Sequence, residues 1–314
     1  MKTVTLPCAL SKVHRLFRHE IWNIGIIKKP IHTIVERGLE NEIFWLPQTE
    51  SGIFFADPFG IFFNGDLYIL CEKFMYTKGI GQLTSIRITQ DGIVEEQELD
   101  LHFSFHTAYP FLFCYDNHVY CVPETSLCSE VRLYRASKFP TKWEYMCSPI
   151  RGIRAVDVTV FHYNALWWMW FTDGTTGPNS DLYLWYSEHL FSKWIPHPSN
   201  PIKRCSFSSR SAGTPYVYNG RLFRPAQDCS RRYGAAITVN EITVLDTARY
   251  EEKIVARIAP NRYFPYSKGL HTLSSVDQYT LIDAKKITFI PQGFSLGIRK
   301  GSKFFSQALK QLLH

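Results

Sequence analysis

The alternation of apolar and polar positions along the chain is strand-like, and it repeats. From Asp57 to Glu72 an aromatic run through Phe59, Phe62 and Phe63 meets Asn64-Gly65, and a second apolar run follows through Leu67, Ile69, Leu70 and Cys71. Asn-Gly between two such runs is the preferred sequence of a type I′ hairpin turn. Tyr109 to Glu124 aligns with this segment without a gap: Pro110 falls under Pro58, Asp116-Asn117 under the turn and Glu124 under Glu72. A third copy starts at Asp157 and ends at Thr172-Asp173. A fourth runs from Thr214 to Pro225 around Asn219-Gly220, and a shorter fifth from His271 to Asp283.

The copies recur about every 50 residues, a spacing typical of propeller blades. Further strand-like segments follow them: Gln82 to Thr89, Val131 to Ala136, Leu182 to Ser187 and Ala235 to Val239. Four strands per repeat make a blade. The pattern therefore predicts an all-β fold, a five-bladed β-propeller over residues 1–314, with blades starting near 57, 109, 157, 212 and 271. The fifth copy lacks residues for its outer strands. Strand-like segments Trp22 to Ile27 and Phe44 to Leu46 are predicted to complete it, closing the ring and removing sheet edges that would template aggregation. Short terminal helices are expected from the spacing of Leu10, Val13, Leu16, Phe17 and Ile21, and of Phe304, Phe305, Ala308, Leu309, Leu312 and Leu313. Such faces pack on a propeller or lie peripherally on a membrane.

Composition narrows the function classes. Of 314 residues 45% are hydrophobic and 15% aromatic, so a large core is available and aromatic surfaces suited to sugars are plentiful. The net charge of +7 favours anionic partners such as phosphate. It is too modest for a nucleic-acid binder, and neither a zinc-knuckle spacing nor a basic helix is present. The 8 cysteines contain no CxxC pair, and Cys71, Cys114 and Cys121 sit in apolar runs, the pattern of reduced thiols. The apolar N-terminal stretch is short and soon followed by Lys12, His14, Arg15 and Arg18, so no cleaved leader is expected. No run is long enough to span a bilayer. A cytoplasmic protein, peripheral at most to the inner membrane face, is the expectation.

The hairpin register locates the chemistry. Counting outward from each turn opposes Asp57 with Glu72, Tyr109 with Glu124 and Asp157 with Thr172. In a propeller these positions meet at one mouth of the axial channel. Asp57, Glu72, Tyr109, Glu124, Asp157 and Asp173 should ring it, joined by Arg210, Arg224, Gln227 and Asp228 from the fourth repeat and His271 from the fifth. Converging carboxylates repel, so one keeps its proton or a cation sits between them. The first outcome suits glycosidic chemistry, in which a carboxylic acid protonates the leaving oxygen while a carboxylate acts as base or nucleophile. Asp57, Glu72, Glu124 and Asp157 are thus the candidate catalytic groups. Tyr109, Asp173, Arg210, Arg224, Gln227, Asp228 and His271 are candidate substrate contacts, the arginines suiting a phosphate or carboxylate. No dedicated metal site is expected: His14, His19 and His32 have no companions at ligand spacing. Gly79-Ile80-Gly81 is not a nucleotide fingerprint, and Ser208 to Gly213 lacks a nucleophile elbow.

Two resemblances attach to these residues. Ala56-Asp57-Pro58-Phe59, with Asp157 opening the third blade, resembles five-bladed glycosidases of the arabinanase and levansucrase type. The resemblance implies an Asp base on blade one and an Asp on a middle blade. It also requires a Glu acid on a later blade, where this chain offers Gln227 and Asp228. A wider resemblance covers nearly the whole chain. Trp22 to Ile26, Phe55 to Phe59, Val122 to Thr125, Arg210 to Gly213, Arg224 to Asp228 and Gly269 to Thr272 are similar to the N-terminal domain of glucosamine inositolphosphorylceramide transferases. In plants that domain precedes a separate glycosyltransferase domain. The similar bacterial domain also occurs beside formyltransferase-like domains. The resemblance implies a role near glycan or glycolipid assembly. Three readings stand: a biosynthetic enzyme that transfers or trims a sugar, with a sugar or an activated, phosphate-bearing sugar and glycan-assembly enzymes as partners; a glycoside hydrolase with Glu124 as acid; and a non-catalytic module that binds a glycan or sugar phosphate.

Overall fold

The computed structural model describes residues 18–290, which form five antiparallel sheets arranged as a five-bladed propeller. The chain enters through β1 (Arg18–Ile27), a short helix α1 (Ile31–Arg37) and β2 (Phe44–Trp45). Gly38 ends the helix with φ 80°, a conformation open to glycine. Blade one is β3 (Ile53–Phe63), β4 (Asp66–Met75), β5 (Ile80–Ile88) and β6 (Val94–Gln97); blade two is β7 (Ala108–Tyr115), β8 (His118–Glu124), β9 (Glu130–Lys138) and β10 (Lys142–Arg151). Blade three holds β11 (Ala155–Tyr163), β12 (Leu166–Asp173), β13 (Asp181–Ser187) and β14 (Ile195–Pro196), with β15 (Lys203–Arg204) also on β13. Blade four is β16 (Tyr216–Tyr218), β17 (Arg221–Asp228), β18 (Ala236–Leu245) and β19 (Tyr250–Ile258).

The last blade closes the ring as the repeat count requires. β20 (Leu270–Val276) pairs with β21 (Tyr279–Phe289), and β21 pairs with β1 along a seam from Arg18↔Phe289 to Ile27↔Thr280. β2 completes the sheet on β1. Ile21 therefore lies in a strand, opposite Lys286, and not in a helix. Its alternation with Trp22 and Asn23 is satisfied by the edge of β21, and that pairing overrides the helical spacing. Leu10 to Phe17 and the segment from Phe304 to Leu313 lie outside the described residues. Among those described, no helix is long and apolar enough to cross a membrane.

Four of the inner hairpins turn through two residues of positive φ: Asn64-Gly65, Asp116-Asn117, Asn164-Ala165 and Asn219-Gly220. This is the type I′ geometry, whose twist matches that of the flanking strands. Beyond the turns the pairing follows the simple count until the axial end, where it slips. Ala56, not Asp57, faces Glu72; Ala108, not Tyr109, faces Glu124; Val156, not Asp157, faces Thr172. Each slip is a bulge that places Asp57 (φ 53°), Tyr109 (φ 43°) or Asp157 (φ 51°) in the left-handed region. For a side chain as bulky as Tyr109 that conformation is strained, and its recurrence in three blades marks a built feature. β20 slips likewise at His271, between Leu270↔Ala284 and Thr272↔Asp283.

Packing between blades is aromatic and dry. Phe59, Tyr109 and Phe111 meet edge to face across blades one and two, and Trp168 and Trp170 are buried in blade three. Burial of one such side chain contributes about 2–3 kcal/mol. Cys71 and Cys121 are buried, but Cys114 is exposed beside its hairpin tip. The inner strand of blade four is short, and Gly213 supplies the axial contact in its place. With φ 127° and the Leu273 carbonyl where a Cβ would sit, 2.1 Å away, only glycine fits there.

Candidate active site at the propeller axis

The bulges turn backbone amides toward the axis, and carboxylates of the neighbouring blade receive them. The Asp57 N–H donates to Asp283 Oδ2 at 2.9 Å, the Tyr109 N–H to Asp57 Oδ2 at 3.1 Å, and the Asp157 N–H to Glu124 Oε2 at 3.3 Å. Each link joins one blade to the next. The acids Asp57, Glu72, Glu124, Asp157 and Asp283 are all buried.

At the junction of blade one with the closing blade, Asp57 meets His271. Asp57 Oδ1 accepts the Thr272 hydroxyl at 3.2 Å and lies 3.7 Å from His271 Nδ1. His271 Nδ1 is 2.6 Å from Asp283 Oδ2, and its ring stacks on Trp22 at 3.8 Å. Burial pushes the Asp57 carboxyl up to about 6, opposed by His271 and reinforced by Asp283. His271 is raised in turn: burial disfavours its charge, but Asp283 and Asp57 outweigh burial. Asp283 Oδ1 also takes the N–H groups of His271 and Thr272. Asp57, His271 and Asp283 each offer one ligand atom within 4.8 Å of the others, so they are the residues that could hold a cation. A metal there would compete with the hydrogen bonds Asp283 already accepts.

Glu72 points inward from β4 and differs from its neighbours. Among the described residues no hydrogen-bond donor reaches its carboxyl. His106 Nδ1 lies 3.8 Å away but already accepts the Gly81 N–H at 2.9 Å. Burial, then the charges of Asp57 and Glu124, push Glu72 well above the usual carboxylate range. Gly81 is glycine because a Cβ would fall 2.0 Å from Glu72 Oε1.

The opposite side of the ring is clamped. Asp157 receives Arg210 Nε at 2.6 Å and Nη2 at 3.3 Å, and Gln227 Nε2 at 2.9 Å. Arg210 also reaches Asn179 Oδ1 and lies over the Tyr233 ring, 5.0 Å from its centroid. Glu124 accepts the Ser126 hydroxyl at 2.8 Å.

Three expected substrate contacts are committed elsewhere. Arg224 is buried and its guanidinium is taken by Glu252, Ser208 O and Ser209 O, holding Glu252 down to about 2 against burial. Asp228 pairs with Arg257 and Ser230, which hold it below its ordinary value despite burial. Both point away because alternate residues of β17 face opposite sides of the sheet, and Gln227 takes the axial side. Asp173 lies past the bulge opposite Ala155, where its carboxylate accepts the Thr175 N–H. Tyr109 does reach the axis, but its hydroxyl is a strut: it contacts Thr159 Oγ1 at 3.0 Å and accepts the Gly213 N–H at 2.8 Å.

A cleft of about 530 Å³ lies between α1 and blade four, lined by His32, Glu36, Tyr216 and Arg221 among others. Its Glu241 is engaged by Arg221 and Lys253. Perturbed acids converge on the axis and not there, so the axis is the candidate site.

Comparison with known proteins agrees with this architecture. Residues 47–280 match the family model described as glucosamine inositolphosphorylceramide transferase 1, N-terminal. The chain belongs to that family. Relatives bearing the name glucosamine inositolphosphorylceramide transferase 1 include one from Arabidopsis thaliana, 31% identical over 269 residues, covering 82% of this chain and 34% of the relative. Another, from Oryza sativa subsp. japonica, is 34% identical over 214 residues, covering 65% and 28%. The chain thus spans about a third of the length of these family members. Among solved structures, an α-L-arabinofuranosidase from Podospora anserina in complex with cellotriose aligns at TM-score 0.55 with 11% identity, covering 76% of this chain and 93% of that one. A β-xylosidase aligns at 0.52 with 10% identity, covering 76% and 96%. At such identities the likeness is one of fold.

Within the family match lie most of the ring residues, but Asp283 and Trp22 fall outside it, and neither was singled out as a site residue from the sequence. Asp283 ends the fifth hairpin copy, so the repeat itself carried the signal. Tyr233 had none, because its loop belongs to no repeat.

Proposed function

We propose that the axial site binds and processes a glycosyl group during glycan or glycolipid assembly, with Glu72 as proton donor and Asp57 as the base or nucleophile. The observation that carries this is a buried carboxyl that no donor reaches, raised by the charge of a second buried carboxyl. Glu72 is buried and without a hydrogen-bond partner among the described residues, and burial, then the charge of Asp57, raises its carboxyl well above the ordinary range. Two buried carboxyls raised to different extents are what acid–base chemistry at a glycosidic oxygen needs. The names of the relatives favour transfer over hydrolysis, as does Gln227 on blade four, where a hydrolytic acid would otherwise be sought. Glu124 and Asp157 have positioning roles: their oxygens are engaged by Ser126, Arg210, Gln227 and the Asp157 amide.

The test is a set of two variants, Asp57→Asn and Glu72→Gln, assayed with nucleoside-diphosphate sugars and neutral oligosaccharides. Turnover should fall by about 10²–10⁴-fold in each while sugar binding persists. Undiminished turnover in both would reject the assignment. Saturable sugar binding without turnover by the unaltered protein would move the chain to the reading of a binding module.

A further inference from the structure

The loop from Ser230 to Gly234 overhangs the axial mouth, and nothing in the proposed chemistry uses it. It is held rigidly. Ser230 donates its N–H and hydroxyl to Asp228 Oδ1, and the Gly234 carbonyl accepts the Leu270 N–H at 3.0 Å. The Tyr233 carbonyl accepts Lys285 Nζ at 2.8 Å, and its ring packs edge-on to His271 and under Arg210. Gly234 itself has φ 58° and lies so close to Trp22 and His271 that a Cβ would fall 2.7 Å from the indole. The loop is therefore pinned at both ends to the walls of the site.

Its middle carries Arg231 and Arg232, both exposed. The carboxylates on this side are already taken, Asp157 by Arg210 and Asp228 by Arg257. Neither Arg231 nor Arg232 forms an ion pair among the described residues. Arg232 is near enough to Lys285 to add to the effect of burial in lowering that ammonium. Lys268, also exposed, adjoins Gly269, whose Cβ position is 2.3 Å from the Gly234 carbonyl. Arg231, Arg232 and Lys268 thus project from two backbone segments that meet at Gly234 and Gly269, beside the acidic site and fixed before any ligand arrives. Holding like charges together is unfavourable unless an anion joins them, and a guanidinium offers paired donors matched to phosphate oxygens.

We infer that Arg231, Arg232 and Lys268 form a phosphate subsite at the axial mouth, which selects substrates whose glycosyl group is attached to a phosphate ester or diphosphate. This rests on the axial site being the glycosyl site. It differs from the expectation that Arg210 and Arg224 would meet a phosphate, since the donors of both are spent within the protein.

The experiment is calorimetric titration of the full chain with inorganic pyrophosphate, a nucleoside-diphosphate sugar, glycerophosphoinositol and a neutral disaccharide. Arg231→Gln/Arg232→Gln is titrated alongside; both positions are exposed, so its thermal unfolding should match the parent. The phosphate-bearing probes should bind the parent and lose at least about tenfold in affinity in the variant, equivalent to about 1.4 kcal/mol, with affinity falling as salt rises. Stronger binding of the nucleoside-diphosphate sugar assigns the subsite to an activated donor, and stronger binding of glycerophosphoinositol to a phosphodiester acceptor. Equal affinity of parent and variant for every phosphate probe would overturn the inference. So would binding of the disaccharide alone, which would leave the axial glycosyl site standing. Disaccharide binding unchanged in Arg231→Gln/Arg232→Gln while phosphate binding falls would support two separable subsites.

Discussion

Asp57 and Asp157 stand at the same bulge in blades one and three, with nearly the same φ and the same burial, yet their surroundings differ in kind. Asp157 is clamped by a two-pronged guanidinium and a carboxamide. Asp57 faces a histidine whose charge depends on pH, and its own charge raises the buried Glu72. Burial raises both carboxyls to about 6, but one half of the ring is held by a permanent cation and the other by a histidine that gains and loses its charge. Repetition supplied two equivalent carboxylates, and the partners brought by neighbouring blades gave them different work.

The comparison can be broken most forcefully on the locked side. Arg210→Ala leaves Asp157 buried without its cation, and should cost about 3–5 kcal/mol in chemical denaturation. A loss below about 1 kcal/mol would mean that the clamp is not structural. Next in size is Gly81→Ala, which forces a Cβ onto the Glu72 carboxyl and should cost about 1–3 kcal/mol. Glu72→Ala in the same chain should recover most of it, and a double-mutant cycle measures that coupling.

On the exchanging side, Asp57→Asn should stay within about 1 kcal/mol of the parent. Asparagine tolerates the left-handed conformation, and the one hydrogen bond it forfeits is offset by relief of a buried charge. Its pH dependence should show the difference best. Asp57 binds its proton more tightly folded than unfolded, since burial raises it to about 6. Its contribution to stability therefore declines as pH rises from about 4 to 6 and is level above that. His271, also raised, acts in the same direction: its contribution is full below about 6.5 and is lost as pH climbs through its folded value. Subtracting the Asp57→Asn stability curve from that of the parent should isolate a downward slope between about pH 4 and 6, and a flat difference would remove Asp57 from the exchanging half. The smallest effect is expected at Asp91, in an exposed turn outside the ring, where Asp91→Asn should change thermal stability by no more than about 0.5 kcal/mol.

The fold was legible in the sequence because each inner hairpin announces its own turn. Asn64-Gly65 and Asn219-Gly220 fix local geometry, and the strands on either side follow. The register was readable only as far as the pairing stayed regular. Counting cannot see a bulge, so Asp57, Tyr109 and Asp157 were each placed one position off their true partners. The convergence of acids on the axis survives that slip, because a bulge shifts a residue along the strand without moving it to another blade. Partner choice was less legible still. Nothing near Arg224 in the chain indicates that Glu252, two strands on in the same blade, takes its charge, and Arg210 and Gln227 meet Asp157 only once blades three and four have packed together. Tyr233 and its neighbouring arginines lie in a connection of no repeating pattern, where one sequence offers no rule to apply.

The seam between β1 and β21 sets an order in time. Asp283, His271 and Lys285 reside in the last blade, and Trp22, on which His271 stacks, comes from the first strand. As the polypeptide is synthesised, four blades can be complete while the charge pattern around Asp57 does not yet exist. The charge pattern around Asp57 is thus assembled in the same step that joins the open edges of β1 and β21.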